Sequence, residues 1–184
     1  NPNGESSLEY KKYWPADVHL IGKDILRFHT IYWPIMLHAL NVDLPKQIFG
    51  HPWMLFGNDK MSKSKGNIVY ADDLVAKYGV DAVRFYMIHE MPFASDGVYT
   101  EDLLIDTINS NLANVLGNLV NRTIGMANKY FSGVIEDSNV VEEVDNDLKN
   151  SILLLNKDIE EDIKKFRIAD SLEKIIEAYR RCNK

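Results

Sequence analysis

Cysteine is almost missing from these 184 residues, Cys182 being the single one. One thiol excludes an internal disulfide framework and any multi-cysteine metal site, and makes the cytosol the simplest compartment. Long apolar runs are missing too, since none approaches the ~18 residues of a membrane span. Basic charge is in deficit. Lys and Arg number 21 against 27 Asp and Glu, for a net charge of −6. That balance argues against a protein that coats DNA or RNA by charge alone, but leaves room for a local basic site. There is no initiator methionine: the polar, turn-rich opening NPNGESS reads as a loop inside something longer, not as a signal peptide. Tryptophan stops after Trp53 and proline after Pro92.

The chain does have the apolar content for a core, 46% of its residues. Two textures divide it, with no internal repeat or low-complexity tract. DVHLIG (Asp17 to Gly22) reads as a short buried strand. KDILRFHTIYWPIMLHAL reads as a mostly buried helix, with Asp24 near its start and Pro34 as a kink. PKQIFGHPWMLF reads as a second strand, and GND (Gly57 to Asp59) as a hairpin turn. Strand, helix, strand is a βαβ unit of a parallel sheet. Two short helices follow, around DDLVAKYG and VDAVRFYMIHE, with Gly79 capping the first. From Glu101 the pattern is helical: one long helix to about Phe131, an acidic loop GVIEDSNVVEEVDND, then two helices around LKNSILLLNKDIEEDIKKF and ADSLEKIIEAYRRC. The expected fold is therefore α/β followed by an all-α bundle.

Three groups of residues carry possible chemistry. Ile25, His29 and Trp33 are spaced i, i+4, i+8, along one helix face just after a strand, where open sheets bind ligands. They make either an ordinary core face or a half-aromatic pocket suited to a thioether. Gly22 permits close backbone approach, and Asp24 is either a helix N-cap or an acceptor for ribose hydroxyls. The second group is DKMSKSKGN, Asp59 to Asn67, with Lys60, Lys63 and Lys65 on a segment with no glycine-rich phosphate cradle beside it. It is either a solvated surface loop or a mobile cationic clamp for phosphates, which lysine suits as a compact charge on a flexible stem. The third is Asn111, Asn114, Asn118 and Asn121, continued by Arg122 and Gly125, beside an apolar stripe of Leu112, Val115, Leu116, Leu119 and Met126. Asparagine costs a helix ~0.5 kcal/mol relative to alanine, so four in register need a reason. They form either a buried hydrogen-bonded seam or a face for unstacked bases. A mixture would leave Asn118 and Arg122 reading RNA.

KMSKS at Lys60 to Ser64 resembles the signature loop of class I aminoacyl-tRNA synthetases. Its surroundings, WPADVHLIGKDILRFHTIYWPIML, FGHPWMLFGNDKMSKSKGN, DAVRFYMI and NLANVLGNLVNR, are similar to the methionyl-tRNA synthetases over essentially the whole chain. The related enzymes for isoleucine, valine and leucine usually carry a GxDxxxGWF-like segment in place of GKDILRFHTIYW.

That resemblance implies an ATP-dependent ligase (ATP with Mg2+) that activates L-methionine and transfers it to tRNA(Met) in the cytoplasm. It implies that Ile25, His29 and Trp33 line the methionine pocket, and that Gly22, Asp24, Trp53 and Met54 contact the adenosine. Lys60, Met61, Ser62, Lys63 and Ser64 would meet the ATP phosphates, with Lys60 and Lys63 as the clamp, and Asn118 and Arg122 would read the anticodon. The domain organisation implied is residues 1–59 as the second half of a Rossmann-like catalytic domain, 60–105 as the KMSKS loop with a stem-contact connector, and 106–184 as an incomplete anticodon-binding bundle.

Departures accompany the match. The partner signature HIGH is absent, and HLIG at His19 to Gly22 lies too late in the fold to replace it. The family's zinc-knuckle insertion belongs upstream, so no metal site is expected here. The tryptophan expected to stack on the anticodon belongs downstream. The expectation is thus the middle of an enzyme, inactive by itself, with no DNA or membrane partner and with its oligomeric state open. Two other readings stand beside it, a non-catalytic RNA-binding module and a class I synthetase for another apolar amino acid.

Overall fold

The structure is a computed structural model and describes residues 6–57, 59–92, 94–137 and 139–184. By its contacts the chain divides into two units, Asn1–Trp53 and Met54–Lys184.

In the first unit, helix α1 (Leu8–Tyr13) opens on Ser7, whose hydroxyl accepts from the Tyr10 N–H. Strand β1 (His19–Gly22) pairs with β2 (Ile48–His51), parallel and in register His19 to Ile48 through Gly22 to His51. The crossover between them holds a 3-10 turn (Lys23–Ile25), a π-helical turn (Phe28–Tyr32) and helix α2 (Trp33–Ala39). The expected βαβ unit is therefore present.

Its burial differs from expectation. β1 is half-buried and its Leu20 exposed; along the crossover helix only Leu37 is fully buried, while Phe28, Ile31, Ile35 and Met36 face outward. Two short strands offer too little surface to cover a helix that is apolar on every side. Pro34 sits in the first turn of α2, at the change from π to α geometry. The expected second strand is two: β2 ends at His51, and Pro52, with no N–H for a ladder, separates it from β3.

In the second unit, β3 (Met54–Phe56) lies between β4 (Asp59–Lys60), antiparallel to it, and β5 (Gly97–Tyr99), parallel to it. Asn58 of the expected GND turn lies outside the described residues; Gly57 has φ +57°. β5 was not expected from the sequence. Gly97 makes it possible, because a Cβ there would stand 2.6 Å from Met91 Sδ and 2.7 Å from the Glu90 carbonyl oxygen.

Helices α3 (Ala71–Tyr78) and α4 (Val80–His89) follow as expected, joined at Gly79, whose φ of +85° suits glycine. Leu74, Val83, Tyr86, Tyr99 and Leu104 form the core, with Met54, Met61 and Ile108 packed against it. Tyr86 donates its hydroxyl to the Val98 carbonyl at 2.9 Å, and burial pushes its phenol up to about 12.

The long helix from Glu101 to Phe131 is continuous, but its middle is π-helical. It runs as α5 (Glu101–Thr107), a π segment (Ile108–Gly117) and α6 (Asn118–Phe131). The acidic loop ends sooner than expected, at Glu142. The Glu142 N–H donates to Asp145 Oδ2 at 2.9 Å in a capping box, so these acids open α7 (Glu143–Lys164). α8 (Ile168–Cys182) closes the chain's helices. Among the described residues no helix is long and apolar enough to cross a membrane.

Polar side chains fasten α8 to what precedes it. His89 at the end of α4 has Nδ1 2.8 Å from Glu90 Oε1 and Nε2 3.0 Å from Glu173 Oε2. Arg180 bonds the other Glu173 oxygen at 2.6 Å and Asn111 Oδ1 at 3.0 Å. Burial would raise the Glu173 carboxyl, but hydrogen bonds from Arg180 and His89, and their charges, hold it below its ordinary value of 4.5. A carboxyl held low stabilises the fold above that ordinary value and loses the contribution as pH falls through its folded-state value. Glu173→Gln should therefore flatten the loss of stability below pH 4.5, read as urea midpoint against pH. An acid limb identical to the parent's would show that these bonds carry no such linkage.

Candidate functional site

The first unit holds the residues expected around an amino acid and a nucleoside, except Met54, which opens β3 of the second unit. Gly22 ends β1, and the Asp24 carboxylate lies back over it. A Cβ on Gly22 would be 2.5 Å from Asp24 Oδ1, so the glycine is what lets that carboxylate sit at the strand end. Asp24 is exposed and lies inside the 3-10 turn, whose N-cap is Gly22.

One turn on, His29 Nδ1 is 3.0 Å from the Ile25 carbonyl oxygen, which can only accept. The hydrogen bond assigns the proton to Nδ1 and leaves Nε2 as the ring's open position. Thr30 donates likewise to the Leu26 carbonyl at 2.9 Å. The ring of His29 meets His19 edge-on at 6.2 Å, and Trp33 meets Trp14 edge-on at 6.3 Å. Ile25 is exposed, His29 and Trp33 half-buried. His19 Nδ1 and Trp33 Nε1 are buried, with no hydrogen-bond partner among the described residues. Trp53 closes the unit, with the Lys23 ammonium 4.2 Å from its ring centroid.

The second unit carries the lysine loop. Its start is tied to the sheet through the Leu55 to Lys60 pairing, and Met61 packs against the core. Ser62 is half-buried, and its N–H donates to Asn67 Oδ1 at 2.8 Å; Asn67 Nδ2 reaches the Lys60 carbonyl at 3.3 Å. Ser62 and Ser64 hydroxyls are 2.8 Å apart. Lys63 opens a 3-10 turn (Lys63–Lys65) that ends at Gly66 in the left-handed region, φ +67°. Lys65 pairs with Asp59 at 3.3 Å. Lys63 is exposed, with no ion-pair partner among the described residues. The loop is thus a closed turn with one cation committed to Asp59 and Lys63 turned to solvent. The sequence reading gave Asn67 no part in this, although it ends the quoted stretch; an Asx side chain after a glycine was the available signal.

The asparagines do not share one strip. Asn111 is buried and held by Arg180, whereas Asn114, Asn118 and Asn121 are exposed. Met126, expected in the apolar core stripe, is exposed. Asn118 begins α6, bonding the Asn114 carbonyl, and Arg122 stands one turn later, its Nη1 3.3 Å from the Asn183 carbonyl oxygen. Among the described residues no three His, Cys, Asp or Glu side chains gather as a metal ion would require.

Residues 2–124 match the family model described as tRNA synthetases class I (M). The chain is 54% identical over 182 residues to a methionine–tRNA ligase of Clostridium perfringens, covering 98% of this chain and 28% of that protein. It is 53% identical over 175 residues to the enzyme of the same name from Clostridium acetobutylicum, covering 95% and 27%. It thus spans little more than a quarter of these relatives' length. Among solved structures it is similar to Mycobacterium tuberculosis methionyl-tRNA synthetase in complex with methionyl-adenylate, with TM-score 0.90 and 36% identity, covering 97% of this chain and 35% of that one.

Proposed function

The chain belongs to the class I tRNA synthetases (M), and on that premise we propose that it serves a methionine–tRNA ligase, supplying part of the active site and an anticodon-reading face. The observation that carries this reading is the KMSKS loop, held closed by Asn67 and rooted in the core by Met61, with Lys63 exposed.

In the first step a methionine carboxylate oxygen attacks the α-phosphorus of ATP. The bond to the bridging oxygen breaks, and pyrophosphate leaves with the electron pair, giving methionyl-adenylate. In the second a terminal ribose hydroxyl of tRNA(Met) attacks the acyl carbon and AMP leaves. Such chemistry needs positioning and charge stabilisation more than covalent help. Lys60 and Lys63 supply the charge, and Mg2+ enters with the nucleotide as substrate. Gly22, Asp24 and the Trp53–Met54 backbone hold the adenosine. Ile25, His29 and Trp33 line the side-chain pocket, where a thioether meets aromatic edges. Residues 60–105 act as a stem-contact connector and 106–184 as an anticodon-binding bundle, in a cytoplasmic enzyme.

The test is amino-acid-dependent ATP–pyrophosphate exchange by a ligase of the relatives' length that carries this sequence. Methionine should drive it and leucine or isoleucine should not; the opposite preference would overturn the reading. The chain alone contains no HIGH signature and should show no exchange. For the anticodon face, Arg122→Ala in the same ligase should weaken binding of the methionine anticodon stem–loop by about 1–3 kcal/mol while leaving exchange intact. Unchanged affinity would remove Arg122 from that face.

A further inference from the structure

We propose that Asn67 is a positioning residue for the stabilisation of phosphate charge: its carboxamide clasps the two limbs of the lysine loop and presents Lys63 from a preset backbone. This rests on the reading of Lys63 as a clamp for the phosphates of ATP.

Both ends of the carboxamide are used, each on a different backbone group. Oδ1 accepts the Ser62 N–H at 2.8 Å, and Nδ2 donates to the Lys60 carbonyl at 3.3 Å. An amide accepts from one end and donates from the other, which neither a carboxylate nor an alkyl side chain can do. The residues it holds enter the loop, while Asn67 itself leaves it. Gly66 turns the chain back between them. Its φ is +67°, and a Cβ there would meet nothing within 4 Å, so conformation and not space calls for glycine.

Lys63 stands between these fixed points. Ser62, just before it, has its N–H held by Asn67 and its carbonyl held by the Lys65 N–H at 3.1 Å. The Lys63 carbonyl accepts the Gly66 N–H at 3.2 Å. Beyond the clasp, Met61 on one limb and Val69 on the other pack against the core. Asn67 and Ser62 are half-buried, whereas Lys63 is exposed. The backbone at Lys63 is therefore set before a ligand arrives, and the side chain keeps its reach. A charge placed in advance stabilises a transition state with no reorganisation at the moment of reaction. A lysine on an open loop would first have to be ordered, at a cost in backbone entropy for each residue fixed. The clasp takes that ordering out of the chemical step.

Two measurements on the ligase of the relatives' length test this. The first is the rate at which trypsin cuts after Lys60, Lys63 and Lys65 without ligand, read from fragment masses. Cleavage follows the population of the locally opened segment, so Asn67→Ala should speed it ~5-fold or more. The second is methionine-dependent ATP–pyrophosphate exchange. Two neutral hydrogen bonds are lost, so Asn67→Ala should lower kcat ~5- to 100-fold, with the KM for methionine unchanged. In a Lys63→Ala background the same substitution should cost less than about threefold, because it acts through that lysine. A loop no easier to cut, faster cutting with kcat unmoved, or an equal factor with and without Lys63 would each overturn the proposal. A full exchange rate in Lys63→Ala removes the clamp reading, and the proposal with it. A slow Lys63→Ala beside a normal Asn67→Ala removes the proposal alone.

Discussion

In a ligase of the relatives' length that carries this sequence, Lys63→Ala should slow methionine-dependent ATP–pyrophosphate exchange by about two to three orders of magnitude in kcat, with the KM for methionine little changed. Negative charge gathers on the departing pyrophosphate as the bond to the α-phosphorus breaks, and a preplaced cation is most valuable where charge grows. Lys65 is paired with Asp59 at 3.3 Å, whereas Lys63 is exposed. Lys63 can fill the role because it is exposed at the head of a turn whose shape is set by Gly66 and by Asn67. Lys63→Arg should recover only part of the rate, since a planar guanidinium is a different shape of charge from a compact ammonium. A loss smaller than about threefold on Lys63→Ala would mean that the loop does not clamp phosphate in the way transition-state stabilisation requires.

Leu104→Ala should cost this chain about 2–5 kcal/mol of stability, read as a fall in urea midpoint with the slope unchanged. Leu104 is fully buried, in contact with the cluster of Leu74, Val83, Tyr86 and Tyr99 that joins α3, α4, α5 and β5. Truncating it removes transfer energy and leaves a cavity that neighbours fixed by β5 pairing and by the Tyr86 hydroxyl bond can fill only in part. A cost below about 0.5 kcal/mol, the range of ordinary surface substitutions, would show that the second unit is not organised around this cluster.

The family is easier to read in this sequence than the geometry. KMSKS is legible because its two lysines, followed by Lys65, stand out in an acidic chain, and the βαβ unit because apolar runs and a helix alternate at ordinary lengths. Contacts between residues distant in sequence were not legible. β5 is three residues long and depends on Gly97 meeting the turn at Glu90 and Met91. The π segment at Ile108–Gly117 has the composition of an α-helix. The acids at Glu142 to Asp147 looked like a loop, though acids favour a helix start through capping and the dipole. The lysine over Trp53 and the histidine between two glutamates join strands or helices that periodicity cannot bring together.

Met61 ties the fate of the lysine loop to the core beneath it. A side chain in the middle of the signature is thus part of the core's packing. As the cluster around Leu104 loosens with heat, the turn bearing Lys63 loses its footing. Core substitutions such as Leu104→Ala should then behave as temperature-sensitive alleles of nucleotide use, normal when cool and failing on warming, although they touch no ligand.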